Sequence, residues 1–206
     1  MSWEEYVPED IKDLYEIQDY KHAAAILSVE FPEEFNEICY ALRVFRFSED
    51  DILTPGGNES RIPKIFSDII RPMHWKEKTL GAQLNVFEIK GKSKELKNTF
   101  SHGTHLVDYL KGRVAFDLEW NSKDQTFDRD LYAFRAFFEY DAISVGVLVT
   151  RSSDLDLIFK RLGINGKYGA STTHLGKLTP RLLAGRNGGC PILVFGITSK
   201  LMIDHE

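Results

Sequence analysis

From Arg113 to Trp120 the chain alternates, with Val114, Phe116, Leu118 and Trp120 on one side and Ala115, Asp117 and Glu119 on the other. A period of two is that of a half-buried strand, and here it sends two carboxylates out of one face. Upstream, Asp108 is separated from the strand by Lys111-Gly112, a pair suited to turning the chain so that the end of a preceding segment lies beside it. Three carboxylates would then converge. Like charges a few Å apart raise one another's pKa, and a hard cation with oxygen ligands, such as Mg²⁺, relieves that repulsion. The order Asp108, Asp117, Glu119 is one that metal-dependent phosphodiester chemistry uses. The competing reading is an ordinary amphipathic strand with a solvated acidic face.

The rest of the composition narrows the class. At 206 residues the chain fits a single domain, 1–206, with a mainly helical part over 1–80 and a sheet core over 81–206. Its 43% hydrophobic and 28% charged residues are ordinary globular values and exclude disorder as the dominant state. No apolar run approaches membrane-spanning length, and the first residues, MSWEEYVPED, are acidic with no apolar stretch of a secretory signal, so a cytoplasmic protein with no membrane contact is expected. Cys39 and Cys190 lack metal-ligand spacing and read as buried reduced thiols. A net charge of −5 argues against indiscriminate nucleic-acid binding but leaves room for a locally basic cleft.

In chain order, Glu9 to Leu27 reads as helical, in one or two pieces. Phe31 to Phe47 reads as an amphipathic helix opened by Pro32, and Ser48 to Arg61, containing TPGGNES, as a loop. Ile62 to Met73 is a further helix. Gln83 to Lys90 looks like a first strand, followed by Lys90, Lys92, Lys94 and Lys97 around Gly91, either a solvated loop or a phosphate-contacting surface. Past the central strand, Phe127 to Tyr140 is a helix apolar on more than one side, suited to the core or a second subunit. Asp141 to Thr150 and Pro191 to Thr198 are buried strands. Between them lie a short helix, Asp154 to Leu162, a Gly/Ser/Thr-rich stretch to Gly176, a segment from Lys177 to Ala184 and the loop GRNGGC. Helices first, then strands alternating with helices, predict an α/β fold with a central mixed sheet flanked by helices.

Several blocks carry a resemblance: DYKHAAAIL at 19–27, MHWKEK at 73–78, VDYLKGRVAFDLEWNS at 107–122, the strand ISVGVLVT, and GRNGGCPILVFGI at 185–197. Together they resemble type II restriction endonucleases of the BglII, BstYI and BamHI group, a branch of the PD-(D/E)XK nucleases, over almost the whole chain. The central block is the most specific. Asp108, Asp117 and Glu119 fall in the frame of that group's Asp followed by an acid-x-(Gln or Glu) pair. Asp117 stands where relatives carry Glu, and Glu119 replaces the Lys of the general nuclease motif, as in the BamHI type.

The resemblance implies a restriction-endonuclease-like fold and a Mg²⁺-dependent, homodimeric endodeoxyribonuclease that cuts duplex DNA at a short palindrome, centred on GATC in relatives, and leaves 5′-phosphate ends. A cognate DNA methyltransferase would be a functional partner. Asp108 and Asp117 would hold one or two Mg²⁺ ions, and Glu119 would act as general base or orient the attacking water. Glu88 either adds an accessory carboxylate or is an exposed strand residue. Asn121 and Ser122, just past the acids, would contact bases, with plain turn residues as the alternative. Ser171 and Thr172, in GASTTH, match a DNA-facing loop of relatives but depart from its tyrosine-bearing pattern. Arg186 and Asn187 suit bidentate pairing with guanine and adenine. His74, His102, His105 and His174 show no metal-ligand spacing. The alternatives are a repair-type nuclease and a non-catalytic DNA-binding protein of the same fold.

Overall fold

The structure is a computed structural model that describes residues 2–54, 60–103 and 105–203. Its centre is a run of three parallel strands, β6 (Val114–Glu119), β7 (Val145–Arg151) and β8 (Ile192–Ile197). Antiparallel neighbours close both sides: β1 (Tyr15–Tyr20) pairs with β8, while β5 (Val107–Lys111) pairs with β6 and then with β2 (Lys76–Lys78). The six-stranded order is β1-β8-β7-β6-β5-β2. This is the mixed, helix-flanked α/β sheet that the sequence predicts.

Each face of the sheet has its own core. One packs Phe116, Leu118, Trp120, Val147 and Phe195 against helices α1 (Glu9–Leu14), α2 (Ala23–Glu30), α3 (Pro32–Val44), α4 (Glu49–Leu53) and α5 (Arg61–Ile70). The other packs Ala115, Leu148, Ile192 and Val194 against α6 (Thr126–Glu139) and α8 (Leu175–Leu183). The alternation in β6 is therefore as expected, but the strand is not half-buried. Parallel strands are covered on both faces, so the acidic side of β6 lies under α6 and not in solvent. Among the described residues no helix is long and apolar enough to cross a membrane.

Local signals explain most of the helices. Pro32 and the acids Glu33 and Glu34 open α3, where the fixed proline φ and the helix dipole favour them, and Arg43 lies in its last turn. Ser48 and Asp51 form a reciprocal capping box that makes a helix of α4 inside a stretch expected to be loop; residues 55–59 of TPGGNES lie outside the described residues. Ile62, Phe66 and Ile70 put one buried stripe along α5. Beyond Ser153–Leu155 a short helix, α7 (Asp156–Arg161), stands where one is expected.

Two further expectations are corrected. Glu9 to Leu27 is not wholly helical: its middle is β1, an edge strand held by register with β8 and by Tyr15, whose hydroxyl donates to the Leu42 carbonyl at 2.8 Å. Lys21 and His22, both at positive φ, then turn the chain into α2. Nor does the strand of residues 83–90 join the central sheet. β3 (Gly81–Lys90) pairs with β4 (Ser93–Gly103) as a separate two-stranded hairpin turned at Gly91. A bulge between Val86 and Phe87 interrupts its register, and Leu84, Ile89 and Leu96 stay exposed. Cys39 and Cys190 are free and buried, as expected, with thiols pushed up to about 12 by burial.

Helix α6 approaches β7 so closely that a Cβ on Gly146 would stand 2.6 Å from the Phe134 ring. Gly146→Ala is therefore expected to destabilise the fold by about 1–3 kcal/mol, the usual cost of overpacking, read as a lower denaturant midpoint at an unchanged slope.

Candidate active site

The turn at Lys111-Gly112 sets β5 antiparallel against β6, with Gly112 at a φ of +53° and Tyr109 opposite Phe116. One step further along this ladder Asp108 meets Asp117: the Asp108 backbone N–H donates to Asp117 Oδ1 at 2.6 Å. Asp117 is 2% exposed, and its other oxygen, Oδ2, is buried without a hydrogen-bond partner. Glu119, two residues on, leaves the same face and is partly covered. Its carboxylate accepts from the Ser122 hydroxyl, and its backbone carbonyl accepts from the Thr150 hydroxyl at 2.7 Å.

A fourth acid, absent from the sequence expectation, enters from α6. Asp130 is 3% exposed, and its Oδ2 also lacks a partner. Its signal is present in the sequence: Phe127, Asp130, Leu131, Phe134 and Phe137 recur at helical spacing, so the Asp interrupts a buried stripe.

These groups sense one another. Burial pushes the Asp117 carboxyl well above the carboxylate range, and Asp130, Asp108 and then Glu119 push it the same way, against the stabilising Asp108 N–H. Glu119 is raised to about 7 by burial and by Asp108, with Ser122 and Arg129 opposing. Asp130 is raised by burial, Glu119 and Asp108, again against Arg129. An isolated, buried, like-charged set of this kind is unfavourable by itself.

Among the described residues no three His, Cys, Asp or Glu side chains stand as a ready cage for a metal ion. The chemistry nevertheless suits a hard divalent ion. The donors are carboxylate oxygens, two of them buried with an unsatisfied oxygen, and their raised proton affinities mark a deficit of positive charge. Asp108, Asp117, Glu119 and Asp130 all lie within electrostatic reach of one another.

Past β6 the chain leaves through Asn121 and Ser122 and is sewn to the segment beyond α7. The Asp124 N–H donates to the Ser171 carbonyl at 2.9 Å and the Thr173 N–H to the Ser122 carbonyl at 2.9 Å, and Lys123 bridges Thr172. Asn121, Ser122, Ser171 and Thr172 are thus brought together beside the acids. Ser171 is exposed, whereas the Thr172 hydroxyl is already engaged, accepting from Arg151 and donating to the Gly169 carbonyl. Arg186 is exposed and paired with Asp128 of α6, beside Arg181.

Two expected residues are not brought to the site. Asn187 is fully buried, and its side-chain amide donates to the Cys190 carbonyl, closing the tight loop that Gly185, Gly188 and Gly189 form at positive φ. An inward-turned amide has no base to read. Glu88 sits near the tip of the β3–β4 hairpin, paired with Lys90 and Lys97 at 2.8 Å each, and takes no part in the acid cluster. The lysines expected as a loop run lie on this hairpin.

Comparison with known proteins fits this arrangement. No curated protein matches the chain. The family model described as restriction endonuclease BglII/BglIII matches residues 15–197, from the first residue of β1 to the last of β8. With the mixed sheet, the acid cluster and a family match spanning the whole sheet, the chain belongs to the BglII/BglIII family of restriction endonucleases, site-specific nucleases that cleave duplex DNA.

Proposed function

We propose that this protein is a Mg²⁺-dependent type II endodeoxyribonuclease that cuts both strands of a short palindrome, one centred on GATC as in relatives, and leaves 5′-phosphate ends. The observation that carries the reading is Asp117: buried, tied to Asp108 by one hydrogen bond, and left with an oxygen that nothing satisfies. Asp108 and Asp117 would hold the divalent ion, which when bound supplies charge stabilisation at the phosphate and acidifies a bound water.

The chain's own groups provide the rest. Glu119, whose carboxyl burial pushes up to about 7, takes the proton from the attacking water on its carboxylate oxygens. The Ser122 hydroxyl, donating to that carboxylate, orients it and favours its charged form. The neighbouring Arg129 offsets part of the local negative charge, a role that falls to a Lys in the general nuclease motif. Ser171 and Arg186, both exposed, would approach the duplex, Arg186 once released from Asp128, and Asn121 would join them only by turning its buried amide oxygen outward.

A palindrome calls for two-fold symmetry, so the active form is a homodimer with one acid cluster per strand. Tyr132 of α6 and Tyr140, which caps its C-terminal end, 45% and 39% exposed, supply apolar surface for such an interface. A cognate DNA methyltransferase protects the host's own sites in this reading, which places the protein in the cytoplasm.

Incubating the purified protein with unmethylated plasmid and Mg²⁺, then sequencing the ends, is expected to give double-strand cuts at one short word. Asp117→Asn should slow cutting by about 10³-fold, the rate equivalent of the several kcal/mol that a bound metal supplies. Equal cutting by both proteins removes Asp117 from the mechanism.

A second expectation concerns stability without metal. Folding raises the Glu119 pKa from about 4.5 to about 7, so the folded chain keeps a proton that the unfolded chain has released. The stability this contributes is complete below pH 4.5 and is lost as pH climbs to 7. In metal-free urea titrations Glu119→Gln should therefore lose less stability than the wild type over that window. Parallel curves would show that Glu119 titrates normally.

A further inference from the structure

Outside the acid cluster, a dense set of polar contacts at this end of the sheet gathers on Arg151, the last residue of β7. Its side chain is 1% exposed, yet its guanidinium reaches beyond its own strand. Nη2 donates to the Tyr168 carbonyl at 3.2 Å and to the Thr172 hydroxyl at 2.6 Å, and Nη1 donates to Asp156 at 3.3 Å. The Phe159 and Tyr168 rings, stacked on each other at 4.1 Å, lie 5.4 and 5.6 Å from it. Tyr168 is held in turn by Trp120, whose indole N–H donates to the Tyr168 hydroxyl at 3.3 Å.

The residue before it, Thr150, faces the catalytic strand. Glu119 and Thr150 are register partners, and the Thr150 hydroxyl donates to the Glu119 carbonyl. Two consecutive residues of β7 thus hold, respectively, the backbone of the proposed general base and the loop that carries Ser171 and Thr172. The loop closes the circuit from its far side through the bonds of Ser171 and Thr173 to Asp124 and Ser122.

The ion pair by itself does not account for an arginine here. A guanidinium does not shed its proton when buried, and the carboxylate facing it, Asp156, is 60% exposed, so its charge is heavily screened. Replacing buried ionic groups with apolar side chains of similar volume is often neutral or stabilising. What a guanidinium offers instead is a rigid fork of donors that sets the relative position of its acceptors.

We propose that Arg151 is a positioning residue for DNA cleavage: it fixes the loop over residues 168–173 so that the side chains facing the duplex stand in one register with Glu119. The proposal rests on the endonuclease reading given above. It implies that sequence discrimination and turnover share a determinant that touches neither base nor phosphate.

The test compares the wild type with Arg151→Met, Thr172→Val and the double variant, on a duplex carrying the mapped cleavage word and on duplexes with one base pair changed. Arg151→Met should keep its thermal midpoint within a few degrees but lose about 10²-fold in kcat, the scale of a 1 Å misplacement. KM should change much less, and the preference for the correct word should fall about tenfold, about 1.4 kcal/mol. Because Arg151 acts partly through Thr172, the double variant should be less impaired than the product of the two single losses. Should Arg151→Met fail to fold, Arg151→Lys, which keeps charge and stem but not the fork, carries the same expectation. A folded variant with unchanged kcat and discrimination overturns the proposal, as do losses that multiply independently. A wild type that cuts no duplex overturns the endonuclease reading and this inference together, whereas equal cutting by wild type and variant overturns the inference alone.

Discussion

A single hydrogen bond, from the Asp108 backbone to one oxygen of Asp117, is the point on which the site turns. It exists because Lys111-Gly112 folds β5 back on β6, and it leaves the second Asp117 oxygen facing a buried space without a donor. The opposite face of β6 makes this tolerable. There Phe116 stacks on Tyr109 at 5.1 Å and meets the Phe66 ring edge-on at 5.2 Å, while Trp120 meets Phe47 at 5.7 Å. Such contacts, with the burial they bring, hold the strand rigidly enough that unfavourable charges on its other side do not push it out. Stability from one face of the strand offsets electrostatic strain on the other.

The distribution of unsatisfied groups follows the same logic. Among the described residues, the buried side-chain polar atoms without a partner belong to Asp117, Asn121, Asp130, Arg151, Thr173, His174 and Asn187. Apart from Asn187, they lie on β6 and its exit, on α6, at the end of β7 and on the loop that follows α7. Native interiors rarely leave such atoms unpaired.

The three parallel strands are legible in the sequence, because buried parallel strands announce themselves as apolar runs and the acidic strand by its alternation, whereas β1, β2 and β5 are not. What was not legible depended on long-range pairing. β1 reads locally like helix and becomes a strand only because β8 offers an edge, and the β3–β4 hairpin reads like part of the sheet but splits its apolar residues across a bulge. In the site, Asp108, Asp117 and Glu119 could be found because strand and turn chemistry is local. Asp130 is hidden because a carboxylate within an aromatic stripe reads as helix packing, and Arg151 because it ends an apolar strand. The inward turn of Asn187 follows from three glycines at positive φ, whose conformation a sequence does not display.

The two thiols carry a consequence for how the molecule can be studied. Cys39 and Cys190 are 1% and 0% exposed, and burial holds them protonated far beyond neutral pH. Thiolates are the species that attack maleimides and oxidants. The native chain is thus a silent background for such reagents, and one cysteine introduced at a surface position becomes a unique attachment point for a dye or spin label, with no need to remove either natural sulfur.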